Sequence, residues 1–476
     1  MPNEFISNEI TIGNLPVGGH LPIRIQSMAN TPTMDTEATV KQIVRLAEAG
    51  CEMVRITAAN VREAENLKSI QSQIRERGID IPLIADVHFQ PKAAEIAAEI
   101  VAKVRINPGN YSGSFHKAKK YSDAAYHNEL VETANNLKPL LAICKQHNTA
   151  IRIGINHGSL SDRILYRYGN TAAGMVASAM EFISICQANH FENLTLSLKA
   201  SNVKTMVQAN RLMVSGMLKK GLYFPLHLGV TEAGNGMEGR IKSAMGIGTL
   251  LSEGIGDTIR VSLTEKPENE IPVATKLASF YGKGQKQKEN IVLSEYGDIP
   301  KHKRDEVVFI NPSKRVSETS KIVRLSYPDI SHEELILRAA VTFNMAYENA
   351  SPDGLLIENA ENSSNRTYKE TALAILQARG LRFTKTEFTA CPSCGRTHFN
   401  IEKTLEKIQR RLGNIKGLKI AVMGCVVNGP GEMAGADYGF VGAGQGKVNL
   451  YKKDKILYKN LSDNEALDKL EELISG

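Results

Sequence analysis

Between residues 23 and 263 the chain alternates, eight times over, between a short apolar, β-branched run and a segment with helical spacing of Ala, Leu and Ile. The runs fall at 23–28, 52–57, 81–87, 103–108, 150–156, 193–200, 226–232 and 258–263, and helical segments follow at 36–49, 61–77, 91–101, 130–146, 172–188, 203–219 and 240–252. Gly50, Gly78 and Gly254 stand where helix ends take a left-handed residue, and Pro91 stands where a first helical turn accepts it. Strand–helix alternation requires parallel strands joined by right-handed crossovers. Eight units in this length predict an α/β architecture that opens with a (β/α)8 TIM-type barrel. The competitor, a doubly wound open sheet, would carry glycines in its first turn, whereas 28–32 reads MANTP.

The pattern breaks after 263. Residues 265–282 read as a short helix closing the barrel, and the Gly/Gln/Lys run 282–289 reads as a polar hinge. A small α/β insert follows, with strands expected at 306–310, 321–325 and 354–357, helices at 332–347 and 368–379, and a loop at the Asn/Ser cluster 359–365. An α+β region closes the chain and ends in an amphipathic helix at 463–474. The expected domains are 1–282, 283–387 and 388–476.

Charge and cysteine usage narrow the class. The net charge of +7 on 476 residues suits an anionic partner, but no Lys/Arg run interleaves with aromatics and Trp is absent, which argues against nucleic acid. No apolar stretch approaches a membrane span, and the N-terminal segment has neither signal-peptide nor transit-peptide layout, so a cytoplasmic protein is expected. Six cysteines in a chain this long do not form a disulfide framework. Cys51, Cys144 and Cys186 are expected to be buried, inert thiols.

Barrel enzymes place their chemistry at the C-terminal ends of the strands. Here those ends carry Arg55, Asp86, His88, Arg105, Asn107, Arg152, Asn156, Ser197, Lys199, Ser201, His227, Thr231, Glu232, Arg260 and Ser262. Five cations on five strands are costly to bury unless compensated. Only Asp86, Glu232 and Glu52 lie near enough in sequence to neutralise them, so a polyanionic ligand such as a diphosphate is the expected counter-charge. The bland reading turns some of these cations outward to pair with helix carboxylates. Glu232 ends a strand before the loop Gly234-Asn-Gly236 and is the candidate for proton transfer, with ion pairing as its alternative. His88 and His227 read equally well as ligand contacts or as structural residues. Gly246-Ile-Gly248 alone is too little for a phosphate loop.

The last fifth of the chain holds Cys391-Pro-Ser-Cys394 and, after a gap, Cys425-Val-Val-Asn-Gly-Pro-Gly-Glu432. Three thiolates suit a soft centre, either an iron–sulfur cluster or zinc. Structural zinc would want a fourth Cys or His, and the nearest is His398.

These residues sit in longer strings: Ile25-Gln-Ser-Met28, Ala85-Asp-Val-His-Phe89, Val104-Arg-Ile-Asn-Pro-Gly109, Ile155-Asn-His-Gly-Ser-Leu160, Leu196-Ser-Leu-Lys-Ala-Ser201, Leu226-His-Leu-Gly-Val-Thr-Glu-Ala-Gly234, Leu251 to Leu263, Ala390 to Cys394 and Met423 to Glu432. In this order they resemble the 4-hydroxy-3-methylbut-2-en-1-yl diphosphate synthase family. The resemblance implies a reductive ring opening and dehydration of 2-C-methyl-D-erythritol 2,4-cyclodiphosphate in the methylerythritol phosphate route to isoprenoids. It implies a 4Fe–4S cluster on Cys391, Cys394, Cys425 and Glu432, fed by flavodoxin or ferredoxin. It also implies substrate contacts at Arg55, Arg105, Arg152, Asn156, Lys199, Arg260 and Ser262, with Glu232 as the proton donor; His88, Asn107 and Thr231, at the same strand ends, are expected to join them. A non-catalytic iron–sulfur sensor of a phosphorylated metabolite is the alternative. The stretch from Ser262 to Cys391 is much longer than in the short bacterial form, and resembles part of the insert of three-domain members. In short forms the cluster domain of one subunit caps the barrel of another, so a homodimer is one expectation and a cap from the same chain the other.

Overall fold

The computed structural model describes residues 5–111, 121–282, 291–328, 330–359, 365–427, 429–433 and 435–475. The expected hinge 282–289, apart from Gly282, and the core of the Asn/Ser cluster, 360–364, lie outside them.

A short antiparallel hairpin, β1 (Ile10–Ile12) and β2 (Leu15–Val17), precedes the barrel. The barrel strands are β3 (Arg24–Met28), β4 (Met53–Thr57), β5 (Leu83–Asp86), β6 (Lys103–Ile106), β7 (Ala150–Asn156), β8 (Leu194–Lys199), β9 (His227–Leu228) and β10 (Thr258–Ile259). They pair in parallel in the order β8-β7-β6-β5-β4-β3-β10-β9. A parallel bridge from Leu196 to Leu226 joins the two ends and closes the ring. Closure buries both faces of each strand, which is why these runs read as continuously apolar; all seven residues of β7 are buried. Asp35, Asn60, Thr171 and Asn202 each cap a crossover helix by accepting a backbone N–H. Ile12 and Val17 of the hairpin pack against Met53, Ile84 and Ala150 and plug the N-terminal end, leaving the opposite mouth for chemistry.

The insert forms a four-stranded sheet in the order β11 (Ile291–Glu295), β13 (Lys321–Tyr327), β14 (Gly354–Asn359), β12 (Val308–Phe309). Its helices His332–Ala350 and Asn365–Ala378 pack on the barrel helix Gly236–Ser252, so barrel and insert share one hydrophobic core. Gly248 is a packing residue on that helix: a Cβ there would lie 2.4 Å from Val341 Cγ2. Beside it Asn344 Nδ2 donates to Thr249 Oγ1 at 3.1 Å. Arg211 bridges Glu253 of the barrel and Glu348 of the insert.

The terminal region is a five-stranded sheet, β15 (Glu387–Ala390), β16 (Lys419–Met423), β17 (Tyr438–Gly444), β18 (Lys447–Lys452) and β19 (Lys455–Leu461), in sequence order with its own core. The first three strands are parallel, and the helix Ile401–Leu412 makes the crossover from β15 to β16. Among the described residues no helix is long and apolar enough to cross a membrane.

Candidate active site between barrel and cap

The β15–helix–β16 crossover explains the cysteine spacing. Cys391 directly follows β15, Cys425 lies just past the end of β16, and the two strands are parallel neighbours. Both loops therefore emerge on one edge. There the Gly424 N–H donates to Cys391 Sγ at 3.2 Å and the Cys394 N–H to Thr397 Oγ1 at 3.0 Å. His398 instead spends its backbone N–H on the Gly424 carbonyl and does not line the cavity that the cysteines line. Among the described residues, no three Cys, His, Asp or Glu side chains converge as they would on a single ion.

That edge sits over the mouth of the same chain's barrel. Ala390 forms a parallel bridge with Ala233, and Thr264 Oγ1 donates to the carbonyls of Ala390 and Cys391, each at 3.1 Å. Lys242 Nζ donates to the Phe388 carbonyl at 3.0 Å. On the far side the turn Gly429–Glu432 meets the turn His157–Ser159 so closely that a Cβ on Gly431 would lie 1.7 Å from the Gly158 oxygen. Only a residue without a side chain allows that approach.

One cavity lies between the two halves. The barrel lines it with Met28, Arg55, Asp86, His88, Arg105, Arg152, Asn156, Ser197, Lys199, Thr231, Glu232, Arg260 and Ser262. The cap supplies Cys391, Cys394, Cys425 and Arg396 among others. The five strand-end cations thus converge, and they are unequally compensated. Arg260 is neutralised by a two-pronged pair with Glu270, at 3.0 and 2.9 Å. Arg105 donates to Asp86 at 3.1 Å, to His88 Nε2 at 2.6 Å and to the Gly154 carbonyl at 2.9 Å. Arg55 approaches Asp86 only to 3.9 Å. Arg152 is 1 % exposed, and its Nε and Nη1 have no hydrogen-bond partner. Burial, with Arg152 and Arg55 close by, pushes the Lys199 ammonium well below its ordinary range. Burial pushes Arg55 down to about 10 against the pull of Asp86. It takes His88 down to about 3, with Arg105 adding to the effect, so His88 is neutral.

Two carboxyl groups meet where barrel and cap touch. Thr231 Oγ1 donates to Glu432 Oε2 at 3.3 Å, while Glu232 Oε2 and Glu432 Oε1 are buried without partners. Burial raises both groups, and Glu432 further because Glu232 faces it. Glu232 also holds a left-handed backbone, φ +49°, as does Ser393 in the cysteine loop, φ +62°. Two side-chain-bearing residues in that region, both at one cavity, mark stored strain where chemistry is expected.

Several expectations need correction. Glu52 does not neutralise the strand-end cluster: it pairs with Arg24 at 2.9 Å, at the start of β3. Asn107 is fully buried but off the cavity, donating to Ser159 Oγ and accepting from the Gly109 N–H. His227 also lies off the cavity and bonds Thr258 Oγ1 at 2.7 Å. Glu432 abuts the cavity through Thr231 without lining it. The bland alternative, cations turned outward to helix carboxylates, fails for Arg55, Arg105, Arg152 and Lys199, which line the cavity; Arg260 lines it too, yet pairs with Glu270 of the helix Glu270–Tyr281. Sequence reasoning missed Glu270 and Arg396. Glu270 lies on the helix Glu270–Tyr281, beyond the last strand, where three glutamates within six residues look alike. Arg396 stands two residues after Cys394, but arginine is not a metal-ligand type, so the cysteine spacing carries no signal for it.

Residues 7–275 match the family described as the GcpE TIM-barrel domain, and residues 387–476 match the GcpE protein C-terminal domain. Three relatives carry the name 4-hydroxy-3-methylbut-2-en-1-yl diphosphate synthase (flavodoxin). The one from Phocaeicola vulgatus is 40% identical over 99% of this chain and 97% of its own length. That from Akkermansia muciniphila is 38% identical over 98% and 96%, and that from Leptospira interrogans 35% over 98% and 96%. The first alignment runs to 597 residues against 476 here, so that relative has segments with no counterpart in this chain. The stretch 276–386, matched by neither domain family, contains the insert. Barrel and cap are both matched, in order, and the likeness to these relatives extends over nearly the whole chain: it belongs to the GcpE family.

Proposed function

We propose that this chain converts 2-C-methyl-D-erythritol 2,4-cyclodiphosphate to (E)-4-hydroxy-3-methylbut-2-enyl diphosphate by reductive ring opening and dehydration. The observation that carries the reading is the shared cavity: incompletely neutralised cations on the barrel face three cysteines on the cap. The names of the relatives point the same way.

The cap residues fit an iron–sulfur cluster. Three cysteines line one cavity, a backbone N–H already points at the sulfur of one, and Glu432, whose Oε1 is unpartnered, abuts that cavity through Thr231. Cys391, Cys394, Cys425 and Glu432 would hold a 4Fe–4S cluster, which would supply the two electrons of the reduction, drawn from flavodoxin or ferredoxin. The remaining work falls to the barrel. Arg55, Arg105, Arg152 and Lys199 bind the diphosphate, and the Arg152 guanidinium gains the counter-charge it lacks. Arg260, held by Glu270, orients rather than neutralises, and Asn156, Thr231 and Ser262 offer neutral hydrogen bonds. Glu232, whose carboxyl burial raises above its ordinary value, donates its proton to the hydroxyl oxygen that departs as water. Where the cap covers the cavity it displaces water, which strengthens these interactions.

Anaerobically purified protein should be brown and should convert the cyclodiphosphate when supplied with reduced flavodoxin. A colourless, zinc-loaded protein without turnover after the same preparation would overturn the reading.

A further inference from the structure

We propose that Arg396 is a positioning residue that couples anion binding in the barrel to the seating of the cysteine loop. Arg396 reaches across the cavity from the cap. Its Nη1 donates to Asp86 Oδ2 at 3.2 Å and its Nη2 to the Asp86 backbone carbonyl at 2.8 Å. A single carboxylate therefore serves two sides. Asp86 Oδ1 accepts from Arg105, Arg55 stands at 3.9 Å, and Oδ2 is held by Arg396 with His88 Nε2 at 3.5 Å. The two contacts of Arg396 fix both the side chain and the backbone at the end of β5. One residue earlier, Gly395 presses on the barrel: a Cβ there would lie 3.0 Å from the Thr31 oxygen and 3.2 Å from Thr57 Cβ. The guanidinium also stands in the field of Cys394 and Cys425.

The consequence follows from charge. Without an anion, Asp86 is shared among Arg55, Arg105 and Arg396. An incoming diphosphate offers Arg55 and Arg105 a stronger, multidentate counter-charge. Asp86 is then left to Arg396, and the loop bearing Cys391 and Cys394, already in contact with the barrel, is held there more firmly. This rests on the proposed substrate only for the identity of the anion; any diphosphate that reaches the cations drives the same exchange of partners.

The test is hydrogen–deuterium exchange across residues 387–400 of the anaerobically prepared full chain, with and without inorganic pyrophosphate. Wild type should show pyrophosphate-dependent slowing of exchange. Arg396→Gln should lose that slowing while its pyrophosphate affinity stays within about threefold and its iron content is unchanged; Arg396→Lys, with one point charge for two fixed contacts, should restore only part. With the cyclodiphosphate, Arg396→Gln should lower kcat by about 10- to 100-fold, as a small misplacement of the reacting groups does, with KM little changed. Full ligand-dependent slowing in Arg396→Gln would overturn the proposal. So would a parallel loss of pyrophosphate affinity, which would make Arg396 a simple ligand contact, or loss of iron in both variants, which would make it a fold residue. Pyrophosphate requires no turnover. Coupling seen in a protein that leaves the cyclodiphosphate intact would therefore sink the proposed function and leave this inference standing.

Discussion

Arg152 shows what a single side chain costs and returns. It lies on β7 among other cations, nearly fully buried, with two unpartnered nitrogens. A charge in that position destabilises the fold unless a ligand arrives. Arg152→Met keeps the bulk and removes the charge. It should stabilise the cluster-free protein by about 1–3 kcal/mol in urea unfolding, while pyrophosphate affinity falls by about tenfold or more. A variant both less stable and unimpaired in binding would show that Arg152 serves the core. Asp86 makes the opposite case. Burial opposes its charge, yet Arg55 and Arg105 hold its carboxyl well below the usual carboxylate range. Its stabilisation is complete above the unfolded value of about 3.9 and is lost as pH falls below that toward the lower folded value. The stability gap between wild type and Asp86→Asn, read from thermal unfolding, should be flat from about pH 7 to 5 and close below about pH 4. A gap that stayed constant through that range would remove the ion pairs from the explanation. The charges at these sites were legible in the sequence because cations at strand ends break an apolar pattern. Their partners were not. Glu270 and Arg396 reach the cavity from beyond the barrel strands, and no local periodicity records a contact made over 310 residues, the separation of Arg396 from Asp86.

At the scale of elements, all eight barrel strands could be read because burial on both faces makes them continuously apolar. The hairpin Ile10–Ile12 with Leu15–Val17 could not, since three-residue strands are too short to show a period. β9 and β10 are two residues each, shorter than their apolar runs, because the chain leaves the ladder early to form the loops that carry Thr231, Glu232, Arg260 and Ser262. The left-handed backbone of Glu232 belongs to one of those departures. The helix Gly236–Ser252 was legible as a helix, but its double duty was not. One side packs on the barrel, and Gly248 admits the insert helix on the other. Gly248→Val should push Val341 and its helix outward and cost about 1–3 kcal/mol by overpacking. Thermal unfolding would read that cost. The same variant should raise the exchange rate of the cap residues that follow the insert. An unchanged melting temperature would mean that the two helices slide apart freely and that the insert does not set the position of the cap.

For the whole molecule, the question left by the sequence was whose barrel the cap covers. The insert docks on the barrel helix that begins just beyond Glu232, and from there the chain returns to the mouth at β15. The bridge from Ala390 to Ala233, the contacts of Thr264 and Lys242, the Gly158–Gly431 approach and the Arg396–Asp86 pair then close the cavity within one chain. Each complete set of cations and cysteines therefore belongs to one polypeptide. Two variants separate this from a cap donated by a second copy. Glu232→Gln disables the barrel half and Cys425→Ser the cap half. If caps were exchanged, a refolded or co-expressed mixture would contain sites that combine an intact barrel from one chain with an intact cap from the other, and part of the activity would return. With the cap over its own barrel, every site in the mixture carries one disabled half. Activity in the mixture should therefore equal the sum of the two variants alone, at any ratio and concentration, and wild-type turnover per chain should not fall on dilution. Recovery of activity on mixing would place the cap over a partner's barrel and recast the insert as a spacer between subunits.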